Sequence, residues 1–548
     1  MSALPLTSYP TQFATHTPLL RVLSLSAIGG ATIPAEYARL PRLEVLDFYK
    51  DSVPVTQLTA AMFDNIRDSD IKTLSFRSLK HLREIEVGAF SNLSNTRSLI
   101  IAFNKQLSFR KTVAALAAST NTTVDSVVLD GASGDKMTIL VESDFCSPFW
   151  RAVRRLSIRG TSLLGFVFAK SHCLSQLREL VADYNSPIMV QPISPDFPAI
   201  FANLKTLSLS HRTLGTRAYY HAYDLSREDL FNVGDYFPTR PPVMPVANIE
   251  TTNTCNYNKL LSLPSSLEFL YMTDIRSKLS VPQNGTFCVG NVRYLNLSHN
   301  SIATVLRDGC RINSSNRLEI IDLSHGQLET ITSEFFYFPR LRYLNLSNNA
   351  LGVSGSDFRE TFRHLIRLED INLSGNKLAR ISPEAFKRCT RLRRLNLANN
   401  ELINIDLNFR HMVSLEYIDL SDNYLMRLSN TFLAKLDQQF NVRSLEVNIH
   451  SHMLICNHNS ASFVCWTRVT HVRLTDRNHL TCSYNGRRDT KMVDIPLDQI
   501  QKEMFISCQG GRCPYWCRSS DILCRVCAVA IPALVCSEQT YAKPVARQ

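Results

Sequence analysis

One eleven-residue frame, L-x-x-L-x-L-x-x-N-x-L, recurs through the second half of the chain. The clearest copies read VRYLNLSHNSI from Val292, LEIIDLSHGQL from Leu318, LRYLNLSNNAL from Leu341, LEDINLSGNKL from Leu368, LRRLNLANNEL from Leu392 and LEYIDLSDNYL from Leu415. Consecutive copies begin 26, 23, 27, 24 and 23 residues apart. Because one copy cannot bury its apolar face alone, a period of this length indicates stacked repeats.

The positions of the frame have separate physical roles. The L-x-L segment predicts a short strand whose two apolar side chains point the same way, into the stack. The asparagines fall where the chain turns off the strand, so their side-chain amides can bond backbone groups that the bend leaves unpaired. These predicted ladder asparagines are Asn300, Asn349, Asn376, Asn400 and Asn423. A later aromatic, of which Phe386 in ISPEAF is the clearest, should fill the opposite side of the core.

Weaker copies of the frame become visible once the strong copies are known. They start near Leu20, Leu43, Ile71, Thr96, Val124, Val153, Leu177, Leu204, Leu267 and Val442. The pattern resembles leucine-rich repeats, with about sixteen copies in total. It predicts an α/β leucine-rich-repeat solenoid, a curved horseshoe with a parallel β-sheet on its concave face and a disulfide-rich C-terminal cap.

The spacing of the copies predicts four regions. Residues 1–19 form an incomplete N-terminal segment, residues 20–453 the solenoid, residues 454–508 a cysteine-rich cap and residues 509–548 a cysteine-rich, poorly ordered tail. The solenoid contains a long insert at about residues 215–262, which is either functional or disordered. In the tail, the cysteines from Cys513 to Cys527 favour disulfides over a zinc site.

Composition and cysteine placement indicate a secreted, binding type of protein. The chain is 45% hydrophobic, which excludes a mainly disordered protein. Its net charge of +12 is explained by a solvated basic surface, and it also suits acidic partners. Nine of the fifteen cysteines lie between Cys456 and Cys536, which indicates an oxidising compartment. Potential glycosylation sequons begin at Asn92, Asn121, Asn284, Asn296, Asn313, Asn345 and Asn372. Neither a signal-peptide core nor an apolar run of roughly 20 residues is present, so secretion would require a longer chain.

The chain resembles the ectodomain of Toll-like receptors, which are leucine-rich-repeat receptors. The resemblance rests on the number and irregularity of the repeats, on LPSSLEFLYM at residues 263–272, and on the cap. It implies a disulfide between Cys456 and Cys482. His458 stands where the family has a second cysteine, so Cys465 is the substitute partner of Cys508. It also implies a membrane helix and a signalling domain after the cap, neither of which this chain contains.

Catalytic chemistry is not expected. The sequence contains no H-E-x-x-H, G-x-S-x-G or P-loop motif, and its fourteen histidines are scattered among the repeats. We therefore expect no enzyme activity, no cofactor and no stable metal.

The predicted ligand-binding residues lie at frame positions three, five and seven, which should face the concave side. Arg155 and Arg159 share one strand, and Glu179 and Asp183 occupy the matching positions one repeat later. Cross-strand charge pairing is the favoured interpretation of these four residues, and an anion-binding patch is the functional alternative. We expect ligand contacts within residues 96–290. Cys146 and Cys173 lie about one repeat apart and can link adjacent turns.

Three functions are compatible with these features. The leading hypothesis is the ligand-binding ectodomain of a Toll-like pattern-recognition receptor in innate immunity. It would recognise a microbial or danger-associated ligand (nucleic acid, lipid or protein) and form homo- or heterodimers with like receptors. It would lie on the extracellular or lumenal side of a membrane, at the cell surface or in endosomes. The alternatives are a leucine-rich-repeat adhesion or matrix protein and a secreted decoy receptor without signalling.

Overall fold

The protein is described from a computed structural model, which forms two compact units, Met1–Leu328 and Glu329–Gln548. The described residues are 7–120, 123–135, 138–167, 172–185, 197–210, 263–274, 286–300, 311–314, 317–331, 338–355, 358–451 and 453–495. The predicted insert at 215–262 and tail at 509–548 lie outside them. In the described ranges, no helix is both long enough and apolar enough to cross a bilayer.

The first unit is built on a parallel ladder of short strands. In chain order these are Val22–Ile28, Val45–Val53, Thr73–Arg77, Ser98–Ala102, Ser126–Val128, Arg155–Ser157, Glu179–Val181, Thr206–Ser208, Phe269–Tyr271, Tyr294–Asn296 and Ile320–Asp322. Each strand pairs with the next one in this order. Every strand begins at frame position three of a copy recognised in the sequence, so the weak copies from Leu20 to Leu267 were placed correctly.

The second unit continues the same construction. Its ladder strands are Tyr343–Asn345, Asp370–Asn372, Arg394–Asn396, Tyr417–Asp419, Glu446–Asn448 and Arg473–Leu474. They pair in parallel and in chain order. Across both units the described residues contain seventeen such strands, close to the predicted sixteen. The additional strand, Arg473–Leu474, lies inside the segment predicted as a cap.

The last predicted repeat was misplaced by two residues. The sequence placed its start at Val442, but Glu446 pairs with Tyr417, and Tyr417 occupies frame position three. The repeat therefore begins at Ser444. Val442 ends the helix Asn430–Val442 and is 61% exposed, so it cannot act as the first apolar residue of a repeat.

Helices and short strand pairs complete the repeats. The α-helices are Ala35–Ala38, Phe109–Ala117, Pro148–Ala152 and Phe197–Ile200 in the first unit, and Asn430–Val442 and Ala461–Val469 in the second. Short 3₁₀ helices are Ala60–Ile66, Glu142–Phe145, Phe409–His411, His458–Ser460, Arg477–His479 and Met492–Asp494. The paired strands outside the ladders are Gln57–Leu58 with Glu84–Ile85, Thr138–Val141 with Leu163–Val167, Thr286–Gly290 with Arg311–Ser314, and Thr481–Tyr484 with Arg487–Lys491.

Local sequence explains where one helix begins and where one hairpin turns. Ser429 caps the helix Asn430–Val442 by accepting a hydrogen bond from the Phe432 amide at 3.2 Å. The hairpin Thr481–Tyr484 with Arg487–Lys491 turns through Asn485 and Gly486, both with positive φ. Asn-Gly is the pair that such a two-residue turn favours.

The core of each repeat contains its frame leucines on one side and aromatic rings on the other. Leu395 and Leu397 in the second unit are 0% exposed. Phe386 is 1% exposed and stacks on Phe362 at a centroid distance of 5.6 Å, as the ISPEAF segment predicted. In the first unit, Phe48 stacks on Phe76 at 5.4 Å. Buried leucines and aromatic rings thus stabilise the stack across successive repeats.

Candidate ligand-binding surfaces

The ladder asparagines bond the backbone of two successive repeats. Asn400 is 4% exposed, and its Nδ2 donates to the carbonyl oxygens of Leu373 at 3.0 Å and Leu397 at 2.9 Å. Its Oδ1 accepts from the backbone amides of Asn376 at 2.9 Å and Leu378 at 3.1 Å. Asn300, Asn349, Asn376 and Asn423 likewise donate to carbonyl oxygens at the ends of the strands. The asparagines therefore position the strands and satisfy buried backbone groups.

Two further asparagines have the same role in the first unit. Asn104 donates to the Phe76 carbonyl at 3.0 Å and accepts from the Leu79 amide at 2.8 Å. Asn185 donates to the Ile158 carbonyl at 2.7 Å. Both occupy frame position nine in the weak copies from Thr96 and Leu177, so extending the frame would have identified them.

We define the ladder face of a unit as the side chains at frame positions three, five and seven. In the first unit this face carries a buried charge cluster at position seven of three consecutive repeats. Arg159 Nη1 lies 3.7 Å from Asp130 Oδ2, and Arg159 Nε lies 3.5 Å from Asp183 Oδ2. The three side chains are 9%, 2% and 11% exposed for Arg159, Asp130 and Asp183. Arg159 and Asp183 were predicted from the sequence, whereas Asp130 was not.

Neighbouring hydroxyl groups complete the bonding of both carboxylates. Ser157 Oγ donates to Asp130 Oδ1 at 2.6 Å, and Ser208 Oγ donates to Asp183 Oδ1 at 2.7 Å. Burial raises the pKa of both aspartates above its ordinary value, while the Arg159 guanidinium opposes that rise most strongly. The cluster has two carboxylates for one guanidinium, so it does not present free positive charge to an anion.

The remaining two predicted ligand residues lie close to this cluster in the ladder. Glu179 pairs in register with Arg155, and Glu179 is 9% exposed. Arg155 Nη2 lies 3.3 Å from Asp125 Oδ1. The geometry of Arg155 and Arg159 is that of cross-strand charge pairing. A ligand-binding role for these four residues stays a prediction.

A second buried ion pair crosses the ladder face nearer the N-terminus. Arg77 Nε donates to Asp47 Oδ1 at 2.7 Å, and Arg77 Nη2 donates to Asp47 Oδ2 at 2.6 Å. Their side chains are 4% and 0% exposed. Such a bidentate pair fixes the lateral register of neighbouring strands. Asp47 and Arg77 stand at positions five and seven of their frames, which is the signal that could have revealed them.

The ladder face of the second unit is polar and partly exposed instead. Position three carries Tyr343, Asp370, Arg394, Tyr417 and Glu446, and position five carries Asn345, Asn372, Asn396, Asp419 and Asn448. These residues alternate with buried apolar ones along each strand. The face therefore offers amides, carboxylates, a guanidinium and phenol rings side by side, which suits recognition of a polar ligand.

Hydrogen bonds organise part of this polar face. Tyr417 Oη donates to Asp419 Oδ2 at 3.0 Å, and Asn448 Nδ2 donates to the same oxygen at 3.2 Å. Arg394 Nε lies 2.6 Å from Asp370 Oδ2. Burial first, and then the Asp419 charge, raise the pKa of Tyr417 to about 12, so its hydroxyl keeps its proton at neutral pH.

Disulfides link successive turns in both units. Cys146 is bonded to Cys173, which the one-repeat spacing suggested, and Cys456 is bonded to Cys482, the pair that the family resemblance implies. Cys465 is disulfide-bonded as well, while Cys508 lies outside the described residues. Cys389 is a buried free thiol. Among the described residues, no group of three or more His, Cys, Asp or Glu is arranged to hold a metal ion.

The predicted sequons occupy two kinds of environment. Asn92 is exposed. Asn296, Asn345 and Asn372 lie on the ladder face, where each Oδ1 accepts from the backbone amide two residues later, at 3.0–3.1 Å. Asn121 and Asn284 and the side chain of Asn313 lie outside the described residues.

Comparison with known proteins agrees with this architecture. The leucine-rich-repeat family model matches residues 290–351 and 355–402, and a second leucine-rich-repeat model matches residues 340–365. A solved structure of the Drosophila Toll–Spatzle complex has a TM-score of 0.50 and 17% sequence identity, and covers 89% of this chain and 66% of that chain. The fold is therefore a leucine-rich-repeat solenoid, as the frame predicted.

Two curated relatives extend the comparison beyond the fold. Podocan-like protein 1 of Mus musculus is 28% identical over 286 residues, or 42% of this chain and 50% of that protein. Toll-like receptor 4 of Pinctada imbricata is 30% identical over 168 residues, or 30% of this chain and 19% of that protein. The chain spans half or less of the length of these relatives.

Proposed function

We propose that this chain is the ligand-binding ectodomain of a Toll-like pattern-recognition receptor, and that it dimerises with a like receptor on binding. The ladder face of the second unit carries the proposal, because it is a partly exposed polar surface that continues over five strands. The similarity to Toll-like receptor 4 of Pinctada imbricata supports the receptor class. The chain would act by binding a microbial or danger-associated ligand, without catalysis.

A reporter chimera tests the proposal. The chain would be fused to a membrane span and a Toll/interleukin-receptor-type signalling domain and exposed to microbial lipids, nucleic acids and proteins. We expect one ligand class to activate the reporter and to shift the purified chain from monomer to dimer in ultracentrifugation. No response to any class, together with no binding by the purified chain, would contradict the receptor function.

A pair of matched tyrosine variants tests the surface. Tyr343→Ser removes an aromatic contact from the ladder face, and we expect it to weaken ligand binding by more than about 1 kcal/mol. Tyr424→Ser changes a 49% exposed tyrosine of the same unit at frame position ten, outside the ladder face, and should leave binding unchanged. Equal losses in both variants would exclude the ladder face as the ligand surface.

A leucine-rich-repeat matrix or adhesion protein is the second candidate. The observation that favours it is the longer similarity to podocan-like protein 1, over 286 residues. The full-length transcript separates the two functions: the receptor function requires a membrane span and a signalling domain after the cap, and the matrix function requires neither. A transcript with neither that still encodes a secreted ligand-binding chain would match the decoy receptor.

A further inference from the structure

Frame position two carries a row of alternating charges along much of the two ladders. In the first unit, Glu44 is contacted by Arg21 at 2.6 Å and by Lys72 at 3.0 Å. In the second unit, Arg342 contacts Glu369 at 2.7 Å and Arg393 contacts Glu416 at 3.0 Å. These residues lie at the edge where the strands begin. Where the signs alternate, the row is internally neutralised.

The alternation fails at two places along the row. Lys72 and Arg97 are two cations in succession, and a longer run of three cations follows further along the chain. Arg154, Arg178 and Lys205 occupy position two of consecutive repeats. The Arg178 amide donates to the Arg154 carbonyl at 2.7 Å, and the Lys205 amide donates to the Arg178 carbonyl at 2.7 Å. We call these three residues the cationic edge. Neighbouring strands are about 4.8 Å apart, so the cationic edge places like charges at the spacing that elsewhere in the row brings opposite charges into contact. Exposed Arg151 lies three residues before the first of them.

The carboxylates at the two ends of the cationic edge contact Arg155 at one end and Lys205 at the other. Asp125 lies 3.3 Å from Arg155. Glu268 lies 3.1 Å from Lys205 but also 4.0 Å from Arg293. Between these ends, Arg178 is exposed and forms no ion pair within the described ranges. Arg154 bonds the neutral amide of Gln176 instead, so the edge keeps positive charge at Arg154 and Arg178, while Lys205 is paired with Glu268.

The surroundings of the cationic edge are polar and lack exposed aromatic rings. Arg154 Nη1 donates to Gln176 Oε1 at 2.8 Å, and Asn203 Nδ2 donates to the Ser175 carbonyl at 2.8 Å. In the described segments 151–155, 174–179 and 201–206, the only Phe, Tyr or Trp is Phe201, which is 1% exposed. Single-stranded nucleic acids are held by aromatic stacking platforms, and this edge offers none. The cations of the edge suit the sulfates of a sugar chain, and the Gln176 and Asn203 amides between them suit its hydroxyls.

We propose that the cationic edge formed by Arg154, Arg178 and Lys205 is a binding site for a sulfated glycan chain. The guanidinium and ammonium groups contact successive sulfates, while Gln176 and Asn203 lie beside the intervening hydroxyls. The site is separate from the ladder face, and its existence does not depend on whether the protein is a receptor or a matrix component. In either setting it would concentrate the protein on sulfated extracellular glycans.

The test measures heparin binding by the full chain over a range of salt concentrations. The double variant Arg154→Ser, Arg178→Ser removes two cations from the edge. The matched control Arg21→Ser, Lys72→Ser removes two cations of the same row where they already contact Glu44. We expect the first variant to bind heparin about tenfold more weakly. The dependence of log affinity on log salt should become shallower with each cation lost, because fewer counterions are then released on binding.

The outcomes separate the proposal from its alternatives. Binding that weakens in the first variant, persists in the control and disappears with desulfated heparin would support it. Equal weakening in both variants would overturn it, because net charge alone would then explain binding. Binding of duplex nucleic acid or anionic vesicles, but not heparin, through Arg154 and Arg178 would also overturn it. A circular dichroism spectrum matching the wild type would show that the variants fold.

Discussion

Replacing Arg159 by methionine tests whether its cluster stabilises the fold or holds a ligand. Arg159→Met keeps an unbranched, flexible side chain and removes the guanidinium that lies between Asp130 and Asp183. Both carboxylates are at most 11% exposed, so the change leaves two buried negative charges without their counter-ion. Removing one partner of a buried ion pair costs about 3–5 kcal/mol. We expect a loss of that size at pH 7, towards its lower end because Ser157 and Ser208 still bond the carboxylates.

The loss should depend on pH in a direction that the aspartate pKa values determine. Burial raises the pKa values of Asp130 and Asp183, and the charge of Arg159 is the strongest influence that lowers them. Both pKa values therefore rise further when Arg159 is replaced. An aspartate with a raised pKa binds its proton more tightly in the folded state. The stability that this tighter proton binding contributes is therefore fully present below about pH 3.9, the pKa of an aspartate in the unfolded chain. It is lost as the pH rises through the pKa of the same aspartate in the folded protein. The variant should accordingly lose less stability at pH 5 than at pH 7.

Urea unfolding followed by circular dichroism at pH 5 and pH 7 measures both effects. Arg394→Met is the control, because Arg394 is 59% exposed while it contacts Asp370, and an exposed pair contributes only about 0–1 kcal/mol. A loss for Arg159→Met no larger than that of the control, or equal at the two pH values, would refute the reasoning. Unchanged stability with lost ligand binding would favour the anion-binding interpretation.

Three further variants or measurements test other parts of the structure. Asn400→Ala should cost about 2–4 kcal/mol in urea unfolding, because it leaves the buried amides of Asn376 and Leu378 without their acceptor; a loss near zero would contradict this. Cys146→Ser with Cys173→Ser opens a link of 27 residues and should cost about 3.5 kcal/mol by loop entropy; an unchanged urea midpoint would contradict it. Cys389 should resist alkylation until the protein unfolds, because burial raises its pKa to about 12, and peptide mapping that finds rapid labelling at pH 8 would contradict burial.

The sequence predicted the repeat positions well because every repeat must meet the same physical requirement. A strand that faces the core on alternate residues needs apolar residues at fixed spacing, so even the weak copy from Thr96 kept its register. The last repeat failed for a related reason. Leu445, Val447 and Ile449 are all buried, and an alternating apolar run accepts two registers that differ by two residues. Pairing with Tyr417–Asp419 decides between them.

The charged residues were harder to predict because their partners come from other repeats. Asp130 and Arg159 are separated by a full repeat, and neither residue type indicates a partner by itself. The charge alternation at position two was also missed, although it can be read directly from the aligned copies. The predicted ligand-binding positions were three, five and seven, which form the ladder face, whereas position two lies at the edge where the strands begin. Aligning every position of the frame, including the charged ones, would have identified the edge.

Burial, rather than residue type, distinguishes the charge cluster around Arg159 from the polar ladder face of the second unit. Asp183 in the first unit and Asp419 in the second both stand at the ladder surface of their repeats. Asp183 is enclosed with Arg159 and its pKa is raised by burial, whereas Asp419 holds Tyr417 and Asn448 on a partly exposed strand. An enclosed charge contributes to register and stability, and a partly exposed one can exchange its partner for a ligand at low cost. The same frame can therefore supply a structural cluster in one unit and a binding surface in the other. We accordingly propose ligand contacts first among residues 343–448, in place of residues 96–290 as expected from the sequence.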